Sequence, residues 1–99
     1  MFAVYTGNVK VTNKGVLDYF RNESFFNTEE RALRSAKRRV QNLRNNPKVF
    51  EYTVWVVEYS DDGLEIGERK LIGKKEISSA AERREKLNSL RVQMGLNEL

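Results

Sequence analysis

Arg31, Arg34, Lys37, Arg38 and Arg39 crowd into one short stretch, and cations so spaced can grip carboxylates in bidentate pairs or neutralise successive phosphates. Residues 28–46 hold six cations, with Arg44, against only Glu29 and Glu30, so this segment alone carries the whole formal net charge of +4. The opposite sign gathers further on. Between Lys48 and Arg69 no cation occurs, whereas Glu51, Glu58, Asp61, Asp62, Glu65 and Glu68 do. Such a chain has a basic segment and an acidic one, each able to meet a charged macromolecule.

Catalytic chemistry finds less material. The chain has no Cys and no His, which removes thiolate nucleophiles, imidazole bases, Cys/His zinc sites and disulfides. Asp61-Asp62-Gly63 looks like a fragment of an oxygen-rich metal loop, but the alternating acids and distal glutamate of a calcium loop are missing, and a hairpin turn explains it better. Asp62, Glu68 and Lys70 together make a nuclease-like carboxylate and lysine set for magnesium, a third-ranked reading in so charged a chain. Gly63, Gly67 and Gly73 lack the spacing of a phosphate-binding loop, and Ser78 and Ser79 have a capping role and no partner base. The expectation is therefore a non-enzymatic module that needs no metal or cofactor.

The elements that must position the arginines follow from periodicity. Asn27-Thr28-Glu29-Glu30 offers a helix cap, Leu33, Ala36, Val40 and Leu43 recur at helical steps, and Asn45-Asn46-Pro47 ends the element, which predicts a helix over 28–44. At 100° per residue, Arg31, Arg34 and Arg38 fall opposite that apolar stripe and face outward. A solvated face would account for them. Yet Arg31/Arg34 and Arg34/Arg38 are repulsive neighbours, each unfavourable by about 0.2–0.5 kcal/mol, with only Glu30 spaced to support Arg34. The second helix, predicted from the capping box Ser79-Ala80-Ala81-Glu82 and closed near Gly95, mixes its signs instead, and the contrast favours docking by the first.

Around these helices, residues 2–11 read as a strand and Val49 to Tyr59 as the strongest strand, apolar on both faces. Phe50, Tyr52, Val54 and Val56 fall on one face; Val49, Thr53, Trp55, Val57 and Tyr59 fall on the other. Tyr52, Trp55 and Tyr59 are expected to pack in the core rather than to stack on bases. Ser60-Asp61-Asp62-Gly63 turns the chain into a returning strand over 64–77, with Gly67 and Gly73 as bulges or bends. Residues 16–26 fit either a strand or a short helix, because Val16, Leu17 and Phe20 would share a helical face. The predicted architecture is a single α+β domain over 1–99: a small antiparallel or mixed sheet of three to four strands against two helices, ordered β, then β or short α, then α-β-β-α.

The N-terminus has no basic, long-apolar leader and no stretch is apolar enough to span a membrane, so the expected setting is cytoplasmic. The preferred partner is a protein with an acidic surface, met through Arg31, Arg34, Lys37, Arg38 and Arg39 in a regulatory, inhibitory or adaptor role. DNA or RNA held by its phosphates is the alternative. Self-association is open too, either of acidic hairpin with basic helix or through Leu87, Leu90 and Met94, although so short a stripe more often packs on its own sheet.

Overall fold

A computed structural model describes residues 1–77 and 79–99; the capping role considered for Ser78 lies outside the described residues. The elements are β1 (Phe2–Val11), β2 (Leu17–Phe26), α1 (Glu29–Asn45), β3 (Val49–Tyr59), β4 (Glu65–Lys75) and α2 (Ala80–Gln93). The strands form one antiparallel sheet in the order β2-β1-β3-β4, so the fold is α+β with four strands. Residues 17–26, which the sequence left between strand and helix, are a strand paired with β1 over its full length, from Phe2 opposite Phe26 to Val11 opposite Leu17.

Helix α1 covers one face because its inner residues are small. Ala32 and Ala36 have no exposure, and with Val40 they lie on Val4, Val49, Tyr52, Val54 and Val56 of β1 and β3. Each fully buried valine contributes about 1.5–3 kcal/mol. Thr28 is the N-cap, its hydroxyl accepting from the Arg31 N–H at 3.3 Å. The position three residues past this cap is Arg31, so the glutamate of the predicted capping box does not fall where a box would place it.

Val9 lies opposite Glu51 and Lys10 opposite Val49, which leaves Phe50 as the extra residue of a β-bulge. The bulge corrects the simple alternation: Val49 joins the core under α1, and Phe50, fully buried, joins a second core with Val11 and Leu87. Leu17, Ile77, Leu90 and Met94 pack around that second core, so the stripe of α2 is used within the molecule. Arg83 pairs with Glu51, and the Lys86 ammonium lies 4.8 Å from the Phe50 ring centroid. Helix α2 starts at Ser79, whose hydroxyl accepts from the Glu82 N–H at 3.1 Å. It ends in a Schellman motif: Leu96 N–H to Arg91 O at 2.8 Å and Gly95 N–H to Val92 O at 3.0 Å, with Gly95 at φ 79°. Two cores in line give an elongated molecule of 51 × 21 × 19 Å. No helix of the described residues is long and apolar enough to cross a membrane.

Strand β4 pairs with β3 through two register shifts, around the two glycines singled out in the sequence. Gly73 lies directly beneath α1: a Cβ there would come within 2.5 Å of Val40 Cγ2. The 60–64 turn closes with Gly63 N–H to Ser60 O at 3.0 Å and Ser60 N–H to Leu64 O at 2.8 Å. Asp62 accepts from the Ser60 hydroxyl at 2.6 Å, which holds its carboxyl below the usual range.

Candidate functional site

The outward side of α1 does not present its five predicted cations alike. Arg31, Lys37 and Arg38 have no hydrogen-bond or ion-pair partner for their charged groups among the described residues. Arg34 pairs with Glu30 at 3.0 Å, but both side chains are largely exposed, 64% and 83%. Such a surface pair is worth at most about 1 kcal/mol and does not commit the guanidinium.

Arg39 is different. It reaches from the flank of α1 onto the sheet and donates to Thr6 Oγ1 at 3.0 Å, Ser24 Oγ at 2.5 Å and Val4 O at 3.4 Å. Thr6 is buried, and the partial burial of Arg39 lowers its pKa from the ordinary arginine value. This residue ties α1 to β1 and β2 and is held by neutral oxygens rather than by a carboxylate. Its spacing alone grouped it with the docking set; its contacts place it in the scaffold. Lys37, about 160° around the axis from Arg39, sits on the other flank of the helix.

Arg31, Arg34 and Arg38 converge. With Ser35 and Phe26 they line an open groove of about 410 Å³ between α1 and the end of β2. Phe26 escaped sequence reasoning because it belongs to the segment whose fold was ambiguous; the pairing of β2 with β1 is what brings it beside the arginines. Beyond it on the same face of β2, by alternation, come Ser24, Asn22 and Phe20.

The acidic segment does not neutralise this groove. Glu65 binds Arg69 through both oxygens at 2.7 and 2.9 Å, and Glu51 is paired with Arg83 of α2. Among the described residues the ion pair between α1 and the hairpin has the opposite polarity, the Lys70 ammonium of β4 lying 2.5 Å from the Glu29 carboxylate of α1. Of the nuclease-like set, Asp62 stays in the turn, whereas Glu68 and Lys70 line a separate cavity of about 160 Å³ with Glu29 and Glu58. Among the described residues no three carboxylates group closely enough to hold one metal ion.

Of the aromatics expected in the core, Tyr52 is there, at 5% exposure beneath α1. Trp55 and Tyr59 are half-buried on the opposite face. There the Tyr59 hydroxyl meets that of Tyr5 at 2.8 Å, Phe25 packs 6.3 Å from the Tyr59 ring, and Arg69 lies 5.5 Å from the Tyr5 ring.

Comparisons of the chain with family models, with curated proteins and with solved structures find no match.

Proposed function

We propose that this chain is a small, non-enzymatic binding module that docks an acidic surface of a protein partner through the outer side of α1, in a regulatory or accessory role within the cytoplasm. The observation that carries the reading is the convergence of Arg31, Arg34 and Arg38 on one groove where, among the described residues, the exposed Glu30 of the same helix is their one carboxylate partner. Isolated repulsive neighbours gain nothing from each other, and a surface of carboxylates relieves all three at once. Phe26 adds an apolar contact at the same place, which suits a protein surface better than a bare phosphate backbone. Lys37 extends the positive field along the helix, and Arg39 holds the helix in position.

Fluorescence anisotropy with a labelled glutamate-rich peptide, and with DNA and RNA oligomers of equal charge, tests this directly. The peptide is expected to bind, and Arg31→Glu/Arg38→Glu is expected to weaken it about tenfold or more. Tighter binding of either oligomer at matched salt, with log affinity falling steeply against log salt, would replace the protein partner by nucleic acid.

A further inference from the structure

The two edges of the sheet are built differently. Edge β4 is interrupted by two register shifts and carries Glu65, Glu68, Arg69, Lys70, Lys74 and Lys75, the charges and irregularities that keep an edge from pairing. Edge β2 is regular for ten residues, has no proline, carries three charges (Asp18, Arg21 and Glu23) against the six of β4, and exposes Tyr19, Phe20 and Phe25 at 54%, 36% and 56%. A long, even, aromatic-rich edge is a template for another strand.

Its free bonding groups can be assigned. Val11 N–H donates to Lys48 O, so the odd-numbered residues of β1 bond towards β3 and the even-numbered ones towards β2. Through the register, Phe20, Asn22 and Ser24 bond back to β1, while the N–H and C=O of Tyr19, Arg21, Glu23 and Phe25 point away from the sheet. The Tyr19 N–H donates to the neighbouring Asp18 carboxylate at 2.9 Å, as an outward amide can.

We infer that the outer edge of β2 accepts an extended acidic segment of a partner protein as a fifth, antiparallel strand, whose acidic side chains reach Arg31, Arg34 and Arg38. The inference rests on the docking reading above and names what fills that groove. Charge selects the occupant. A strand added beside β2 alternates its side chains between two faces: one meets the arginines at the Phe26 end of β2, the other meets Tyr19 and Phe25, with Arg21 and Glu23 between them. The fitting segment therefore alternates acidic with apolar residues. In antiparallel addition, the residues exchanging hydrogen bonds with the odd-numbered positions of β2 share their face, so the bonding amides belong to the apolar residues.

The probe is a labelled peptide of about eight residues alternating valine and glutamate, long enough to span β2. It is used unmodified, N-methylated at every valine, or N-methylated at every glutamate, and read by anisotropy with the full chain. Methylation at valine is expected to abolish binding, methylation at glutamate to leave it within about twofold, and Arg31→Gln/Arg38→Gln to weaken it about tenfold. Both substitutions of this variant fall on exposed side chains, and circular dichroism checks the fold. Equal effects of the two methylation patterns, with the arginine dependence intact, overturn strand addition but leave the docking reading standing. Indifference to the arginines overturns both. A concentration-dependent dimer that the peptide does not dissociate, seen by sedimentation, would give the edge to a second copy of the chain and overturn the inference.

Discussion

Gly73→Ala tests whether α1 rests directly on the sheet at β4. The added methyl would lie 2.5 Å from Val40 Cγ2, 2.8 Å from Cγ1 and 3.2 Å from Cβ. Val40 is buried and β-branched, so it cannot rotate away freely, and overpacking of this kind costs about 1–3 kcal/mol. Restricting the unfolded chain returns about 0.4–1 kcal/mol. The middle of these ranges leaves a net loss of about 1.3 kcal/mol, which lowers Tm by roughly 5–10 °C for a chain of this size. Val40→Ala alone removes two methyl groups, about 1.6 kcal/mol of transfer free energy before any cavity cost. In the double variant the new methyl occupies vacated space, so its loss should fall short of the sum by about 1 kcal/mol or more. Calorimetry of the four proteins measures the cycle. A Tm for Gly73→Ala within about 3 °C of the parent, or strict additivity in the double variant, would refute the close approach.

Arg39→Ala should cost about 1.5–3 kcal/mol in urea denaturation, because the Thr6 and Ser24 hydroxyls lose a charged donor, whereas Arg31→Ala and Arg38→Ala should each change stability by no more than about 0.5 kcal/mol. Arg91→Ala removes the hydrogen bonds to Gly15 O at 2.6 Å and Asn97 O at 2.7 Å, and hydrogen exchange should then show faster amides in residues 94–99 with little change in α1. The hydrogen bond to Tyr59, then that to Glu23 and partial burial, raise the Tyr5 pKa well above its ordinary value of 10.0. Above that pH the folded state holds a proton the unfolded state has released, so this contribution is complete below pH 10.0 and disappears as pH climbs through the folded value. Denaturation midpoints across alkaline pH should fall with a slope that Tyr5→Phe makes shallower.

Where one face of an element is buried, the pattern in the sequence described the element well. Of the stripe Leu33, Ala36, Val40 and Leu43, Ala36 and Val40 are buried on the sheet and the two leucines pack half-buried beside them, while Ala32, which the stripe left out, is the third buried residue; β3 is apolar on both faces because it is central. Strand β2 was ambiguous for the opposite reason: as an edge it has mostly exposed residues, so no buried face imposes a period of two, and only its pairing with β1 decides. The bulge at Phe50 was equally silent, since an extra residue in a run of apolar side chains leaves composition unchanged. The arginine cluster was legible as an outward ridge, but its division was not. Whether Arg39 faces water or reaches the sheet depends on Thr6 and Ser24, which sequence spacing cannot bring beside it.

The contrast between the two margins of the sheet limits what the molecule can build from itself. Head-to-tail stacking would have to join β2 of one copy to β4 of the next, and the second of these is poorly shaped for any newcomer. Two copies meeting β2 to β2 would instead be related by a twofold axis, using up both receptive margins in a single step. A pairing of that kind would end there, with only the irregular β4 margins left outermost.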